Sequence, residues 1–563
     1  MNALSSSQEE EIQNLVTHHW PAARLKWSQF LLLSDPANGS NSPSVAQIHL
    51  GSRQVLLNFS LIAEKDLGDC VEALLAHEVG HHVKYPGTLA VEARLRLLEK
   101  SLIPIEGYSL TNLFTDLMIN EYLGRTMQSQ LTKLYQTLGP RKDWERDPAF
   151  VFYLAIYEEL WALTPGTLMQ ECEASFAVSY PGFRGDARLL AGKLFHMEPN
   201  IYTQFLYFVS VLTGYIKPPK LEKPESQNPS QCHADAPSPD DWADALRPNS
   251  REKAAIQRGL AEGWLSKEDA EKLSGKNVLE RRIASLPGVQ TGNAEQVPEI
   301  MAAFYRREAE RYLFNPPSQQ VLGEAVVPTN LLEWEYSDPV KEIDWLQTLI
   351  QGGSELGSIQ PLKRSHIGEV EGYDMPLWRP FMEIYLDVSG SMPDPRFGLN
   401  AMTLASLILV SAAIRQGGWA RALLYSTDLV SYWNWCRSEI ELSRFLMHYF
   451  GAGTQFPFAR LAASLQECGA KRPIRVLITD SDFNMNFSKE KNARQILGEA
   501  VRCSAPLILL LHNVATEAAN EYRKLGAMVI QIADLGDFPK MAGQLAAALF
   551  IETKSTPIMD MNP

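Results

Sequence analysis

Hydrophobic residues recur every three to four positions over much of the first 215 residues, which predicts amphipathic helices. The stretch 46–62 differs, because AQIHL and QVLLNFSLI flank Gly51-Ser52 as the two strands of a hairpin would. Residues 250–313 return to a helical pattern rich in Ala, Glu, Lys and Arg. We therefore expect a mainly helical amino-terminal region with a small hairpin, and a helical spacer or docking region over 250–375.

Short apolar runs alternate with helical patterns beyond residue 376. The strand candidates are FMEIYLD, RALLYST, RVLITD and PLILLLH. Alternating strands and helices are typical of a parallel sheet with helices on both faces, and the unbroken apolar character of the last two runs fits strands buried on both sides. The pattern predicts a doubly wound, Rossmann-like α/β domain over 376–555.

The segment 216–249 interrupts these patterns. It contains seven prolines and many polar residues, which is typical of a linker. The chain of 563 residues is long enough for several domains, each with its own core. We expect a domain over 1–215, this linker, the helical region and the α/β domain.

The composition favours a cytoplasmic protein that acts on other proteins. The amino terminus is acidic where a secretory signal would be basic, and no apolar run reaches the ~20 residues that cross a membrane. The six cysteines are scattered, with no C-x-x-C spacing. The net charge of -14 disfavours binding of nucleic acid, which is also negatively charged. We find no G-x-x-x-x-G-K-[ST] loop, so direct ATP binding is not expected.

An H-E-x-x-H motif stands at His77, Glu78 and His81, in a helical pattern that stops at Pro86. Histidines four residues apart lie on one face of a helix, so both imidazoles can bind one zinc ion. Glu78 is rotated about 100° from His77. It would lie beside the metal, where it could take a proton from zinc-bound water and return it to the leaving amine.

The third zinc ligand is expected in the next helical segment, SLTNLFTDLMINEYLGRTM. It offers Asp116 and Glu121 as carboxylates. We favour Asp116, because Asn120 lies on the same helix face and could support a ligand from behind. Glu121 remains the alternative, and His82 is expected to point off the zinc face.

Residues 40–130 resemble the zincin metallopeptidases, in particular the metallopeptidase domains that are fused to von Willebrand factor A domains in bacteria. In that family the Asp of a helix like TDLMINEYL is the third ligand, which carries over to Asp116; in the commoner gluzincins a Glu stands there. The resemblance implies zinc-dependent hydrolysis of a protein substrate, with Glu78 as the catalytic residue.

A second set of polar residues follows the predicted strands of the carboxyl-terminal domain. Open α/β sheets bind ligands at the carboxyl ends of their strands. Carboxylate and hydroxyl oxygens suit a hard cation such as Mg²⁺. The sequence therefore predicts a magnesium site made of Asp387, Ser389 and Ser391 in DVSGSM, Thr454 in GAGTQF and Asp480 at the end of RVLITD.

The D-x-S-x-S pattern, with its separate Thr and strand-terminal Asp, resembles the metal-ion-dependent adhesion site of von Willebrand factor A domains over roughly 380–552. The resemblance implies a Mg²⁺ ion, with Mn²⁺ or Ca²⁺ as alternatives, whose ligand shell is completed by a carboxylate of a partner protein. Proteins that combine these two domains look like partners of MoxR-type AAA+ ATPases, some of them in systems proposed to act in bacterial defence or stress responses.

Two functions are consistent with these motifs. The first, which we favour, is a zinc endopeptidase that is recruited or regulated through its A domain. The sequence is consistent both with an enzyme that is latent until its partner binds and with one that is active alone. The second is a non-catalytic adaptor that links a MoxR-type ATPase to a client protein and carries a structural zinc ion.

Overall fold

The structure is a computed structural model. It describes residues 6–39, 42–104, 109–139, 144–216, 235–287, 289, 296–313, 327–335, 338–352, 361–367, 379–427, 430–468 and 471–551. The chain forms two compact units. Unit 1 comprises Met1–Glu310, Val388–Leu404 and Ser443–Thr454, and unit 2 comprises Arg311–Asp387, Ala405–Leu442 and Gln455–Pro563.

The first 310 residues are mainly helical. Their strands are β1 (Ala37–Asn38), β2 (Ala46–His49) and β3 (Gln54–Leu57). Their helices are α1 (Ser6–Leu25), α2 (Phe59–Glu64), α3 (Val71–Val83), α4 (Leu89–Leu102), α5 (Leu110–Leu138), α6 (Pro148–Leu160), α7 (Cys172–Ser179), α8 (Phe183–Leu194), α9 (Ile201–Leu212), α10 (Pro239–Ala245), α11 (Ser250–Glu262), α12 (Lys267–Ser274), α13 (Val278–Ala284) and α14 (Val297–Glu310).

The predicted hairpin is confirmed but is shorter than expected. Strands β2 and β3 pair antiparallel, and β1 adds in parallel to the other edge of β3. The second strand ends at Leu57 because the side chain of Asn58 accepts a hydrogen bond from the backbone N–H of Leu61 and so caps α2. Residues 59–62, which we expected to continue the strand, are therefore helical.

Part of the segment that we interpreted as a linker is also helical. Ser238 and Asp241 form a capping box at the start of α10, and Pro239 takes the first helical position, where its missing N–H costs nothing. Trp242 and Ala245 are buried. Residues 217–234 lie outside the described part of the chain.

A buried group of charges joins the helices of the former linker and the helical region to α4. Glu252 is fully buried and lies 2.6 Å from Arg94 and 2.8 Å from Arg282. Arg94 also pairs with Asp244 of α10. Helices α10, α11 and α13 therefore belong to the same packed unit as the amino-terminal helices.

The remainder of the chain contains α15 (Trp345–Gly352), α16 (Ala401–Arg415), α17 (Glu439–Phe445), α18 (Phe458–Cys468), α19 (Asp482–Lys489), α20 (Ala493–Arg502), α21 (Thr516–Lys524) and α22 (Phe538–Ile551). Its strands are β4 (Val327–Glu333), β5 (Leu362–Ile367), β6 (Phe381–Asp387), β7 (Trp419–Tyr425), β8 (Val430–Cys436), β9 (Ile474–Thr479), β10 (Leu507–His512) and β11 (Met528–Ile532). Strands β4 and β5 pair antiparallel within the stretch that we expected to be helical.

All four strand candidates are confirmed in a six-stranded sheet of order β11-β10-β9-β6-β7-β8. Every residue of β9 is buried, as expected for a strand covered on both faces. The sheet is mixed instead of purely parallel, because β8 returns antiparallel to β7. The short 426–429 connection explains this, since a parallel return needs a crossover of about a dozen residues. This architecture fits the expected α/β domain.

Within the described residues, no helix combines the length and the apolar character that crossing a lipid bilayer would require.

Candidate metal centre

Three side chains of unit 1 bring their ligand atoms together. His77 and His81 lie one turn apart on α3, and their Nε2 atoms are 3.1 Å apart. The Oδ1 atom of Asp116, on α5, lies 3.3 Å from Nε2 of His81 and 3.6 Å from Nε2 of His77. No other group of three or more His, Cys, Asp or Glu side chains in the described part of the chain meets in this way.

These distances fit a tetrahedral zinc ion. Ligand atoms that bind zinc at about 2.05 Å on a tetrahedron lie about 3.3 Å from one another. The observed separations of 3.1, 3.3 and 3.6 Å surround that value. Three protein ligands leave the fourth position for water or substrate, as in catalytic zinc sites.

Each histidine is held through its Nδ1 atom. Nδ1 of His81 lies 2.8 Å from the backbone carbonyl oxygen of Tyr85, which can only accept, so Nδ1 carries the proton and Nε2 presents its lone pair. Nδ1 of His77 lies 2.8 Å from the amide oxygen Oδ1 of Asn120, which also can only accept. Nδ1 of His77 therefore carries the proton too, and its Nε2 presents a lone pair. Both Nε2 atoms therefore face the carboxylate of Asp116, an arrangement that calls for a cation or a proton between them.

The close approach of His77, His81 and Asp116 shifts the pKa values of all three side chains. Burial lowers the pKa of His77, but the hydrogen bond and charge of Asp116 and the charge of Glu78 outweigh it and raise the pKa to about 9. Burial, helped by the charge of His77, lowers the pKa of His81. Burial favours the neutral form of Asp116, but the two histidines hold its pKa well below the usual range. A metal ion would displace the proton that these groups share.

Glu78 lies beside the cluster and is 3 % exposed. Its Oε2 atom is buried and has no hydrogen-bond partner among the described residues. An unsatisfied carboxylate oxygen in a protein interior is costly, and at a metal centre it suits a group that must accept a proton. Burial raises the pKa of Glu78 to about 8, although the charge of His77 opposes this shift.

The other candidates for this centre lie apart from it. The carboxylate of Glu121 pairs with Arg125 at 2.7 Å, one turn further along α5. His82 is half-buried, and burial together with the charge of Arg53 lowers its pKa. Of the two carboxylates proposed as third ligand, Asp116 is thus the one whose oxygen reaches both histidines.

Sequence reasoning missed some of the groups that hold the histidines. The carbonyl of Tyr85 lies just beyond the end of α3, and a backbone group leaves no signature in a residue pattern. Behind Asn120 stand Tyr135 and Tyr157, whose hydroxyl groups contact its amide nitrogen. Neither tyrosine is near the motif in sequence, so no local signal indicates it.

The two aspartates of the predicted magnesium site lie in unit 2 at neighbouring strand ends. Asp387 is the last residue of β6, and Asp480 directly follows the adjacent parallel strand β9. Asp387 is fully buried, and its Oδ2 atom accepts a hydrogen bond of 2.9 Å from the hydroxyl group of Thr479. Oδ1 of Asp480 accepts from the backbone N–H of Asp482 at 2.9 Å.

The hydroxyl residues of that site fall in segments assigned to unit 1. The hydroxyl oxygens of Ser389 and Ser391 are 3.0 Å apart. Between them, the backbone N–H of Gly390 donates to the carbonyl of Ala452 at 2.7 Å, which joins this loop to the glycine-rich loop of Thr454. The structure therefore brings Asp387 together with Asp480, and the two serines together with the loop of Thr454.

Comparison with known proteins gives little that is similar to this chain. No family model matches it. No curated protein matches it. Among solved structures, a von Willebrand factor type A protein from Catenulispora acidiphila shows a weak and partial similarity, with 14 % sequence identity and a TM-score of 0.23. That similarity covers 30 % of this chain and 42 % of the other, so the chain spans less than half of that structure.

Proposed function

We propose that the protein is a zinc-dependent endopeptidase acting on a protein substrate. The proposal rests on one observation: the two Nε2 atoms and the Asp116 oxygen converge within 3.6 Å of each other, with both imidazoles held from behind. The carboxylate of Glu78 beside them, whose Oε2 atom has no hydrogen-bond partner within the described part of the chain, would supply the base that hydrolysis requires.

The chemistry divides between the ion and the chain. Bound zinc would supply a Lewis acid that polarises the substrate carbonyl and acidifies water. His77, His81 and Asp116 would hold the ion, and their fixed Nδ1 contacts keep both lone pairs directed at it. Glu78 would accept the proton of the attacking water and deliver it to the leaving amine nitrogen.

The test is a cleavage assay on zinc-loaded protein with Glu78→Gln as the inactive variant. We expect Glu78→Gln to keep its zinc and to lose at least about 10²-fold in hydrolysis rate, because it removes only the base. Glu72→Gln is the matched control: Glu72 lies on the same helix but its carboxylate faces Lys26 at 3.7 Å. The assay should be run with and without a MoxR-type ATPase, since the activity can depend on a partner.

The result also separates the endopeptidase from the adaptor. Under the adaptor hypothesis zinc is structural, and Glu78→Gln would leave every cellular effect of the protein intact. A zinc-loaded wild type that cleaves nothing in the presence of its ATPase, or a fully functional Glu78→Gln variant, would overturn the endopeptidase proposal.

We further propose that the A-type domain binds Mg²⁺ through Asp387, Ser389, Ser391, Thr454 and Asp480, and that this ion recruits a partner such as a MoxR-type AAA+ ATPase. Supporting it are the two aspartates at neighbouring strand ends and the paired serine hydroxyls. Oxygen-only ligands of this kind suit Mg²⁺ and leave positions for a partner's carboxylate. Some systems with such partners are proposed to act in bacterial defence or stress responses, and we include that setting in the proposal.

A further inference from the structure

Behind the candidate metal centre, Asn120 is enclosed by a group of buried tyrosine hydroxyls. Both N–H groups of its amide end on phenol oxygens, that of Tyr135 at 2.8 Å and that of Tyr157 at 2.9 Å. The two hydroxyls are 3.1 Å from each other, and Tyr153 adds a third at 2.7 Å from Tyr157. Asn120 is 1 % exposed and Tyr157 is fully buried.

The contact between Asn120 and Tyr135 depends on a sharp bend in α5. The two residues are 15 positions apart on this helix. In a straight helix that spacing corresponds to about 22 Å, far beyond the reach of both side chains. Met127 has non-helical backbone angles (φ −130°, ψ 22°), so the second half of α5 turns back. The ring of Trp161 packs against Gly124 just before the bend, where a side chain would collide with it.

This arrangement decides which end of the amide faces the metal centre. Because both N–H groups are taken up by phenol oxygens, the carbonyl oxygen Oδ1 is left for Nδ1 of His77. Nδ1 then carries the proton, and Nε2 offers its lone pair to the metal. Without the phenols, a buried amide would have two unsatisfied donors, which is costly, and would turn or shift to find other partners.

We propose that Tyr135 and Tyr157 are positioning residues of the metal centre, which act on His77 through Asn120. The inference rests on the proposed metal site but not on peptidase activity. It assigns a function to the bend at Met127, because the bend brings Tyr135 from the far end of α5 to Asn120, which contacts the proposed ligand His77.

The experiment measures zinc affinity of the full chain by competition with a chromophoric chelator, and the visible absorption spectrum of Co²⁺ in the same site. The variants are Tyr135→Phe, Tyr157→Phe and the double variant. A partner that contacts a metal ligand directly, as Asn120 contacts His77, typically changes affinity about 10–100-fold. Because the tyrosines act through Asn120, we expect about a tenfold loss for the double variant and a shifted Co²⁺ spectrum. Tyr153→Phe is the control, because its hydroxyl contacts Tyr157 and not Asn120.

A double-mutant cycle separates positioning from general packing. If the tyrosines act through Asn120, the double Phe variant should lower affinity no further once Asn120→Ala is present. Additive losses, or double-variant affinity and spectrum equal to those of the wild type, would overturn the inference and leave the metal site standing. Zinc binding with this coupling but without peptide cleavage would instead support the inference and overturn the proposed activity.

Discussion

The Nε2 atoms of His77 and His81 are 3.1 Å apart, and the Nδ1 atom of each ring is engaged by a different acceptor. Two lone pairs held this close repel each other unless a cation or a proton lies between them. The pair therefore holds a proton in the metal-free protein, and a metal ion that binds there would displace it.

Zinc should stabilise unit 1, and a chelator should reverse the effect. An ion present at 1,000 times its dissociation constant stabilises the folded state by about 4 kcal/mol. We expect a clear rise in the temperature of thermal unfolding, measured by circular dichroism. His81→Ala should abolish the zinc-dependent rise, and His82→Ala should retain it, because His82 lies outside the cluster. An equal rise in both variants would contradict the ligand assignment.

Asp116→Asn should lower zinc affinity by at least about tenfold, because it replaces a charged ligand by a neutral amide. Glu121→Gln should change it little, since Glu121 is paired with Arg125 instead. Both are measured by competition with a chromophoric chelator. A larger loss of zinc affinity in Glu121→Gln than in Asp116→Asn would show that the third ligand is misassigned.

Asp387→Ala should abolish binding of Mg²⁺, measured by isothermal titration calorimetry, and capture of a MoxR-type ATPase in magnesium buffer. Asp387 is fully buried at the end of β6, where its carboxylate would be the charged ligand nearest the sheet. Asp482→Asn, on the first turn of α19, is the control and should bind normally. Capture that resists both Asp387→Ala and a chelator would count against a metal-bridged contact.

Gly80→Ala should destabilise unit 1. A β-carbon at this position would lie 2.6 Å from the ring of Trp27 and 2.9 Å from Ile119, so α3 and α5 would have to move apart. Overpacking of this kind costs about 1–3 kcal/mol in denaturant unfolding. Gly192→Ala, within α8, meets no atom within 4 Å and should stabilise by up to about 1 kcal/mol. Similar effects of the two changes would contradict the close approach of these helices.

Glu252→Ala should be strongly destabilising. It would leave Arg94 and Arg282 buried without the carboxylate that both of them contact. Breaking a buried ion pair from one side costs about 3–5 kcal/mol in free energy of unfolding. Arg258→Ala, which removes a pair within one turn of α11, should have a much smaller effect. A mild effect of Glu252→Ala would mean that α11 and α13 pack less firmly against α4 than the contacts indicate.

Much of the fold is readable from local patterns in the sequence. The four central strands follow from short, mainly apolar runs, because strands buried on both faces are mostly apolar. The buried charges in three of them, Glu383, Arg421 and Arg475, are paired with one another. The antiparallel pairing of β8 with β7 and the helix α10 are harder to predict from the sequence. Polar residues at the start of α10 resemble a linker until one sees that Ser238 and Asp241 cap it and that Trp242 is buried.

The sequence by itself determined that His77 and His81 face one point, because a spacing of four residues on a helix is a local geometric property. It also narrowed the carboxylates proposed as third ligand to Asp116 and Glu121, which lie on α5, beyond the intervening helix α4. Only the tertiary structure decided which carboxylate reaches that point, since Asp116 and Glu121 lie on one helix and the packing of α5 against α3 selects between them. The supports of Asn120 depend on packing too, because they come from positions 15 and 37 residues away.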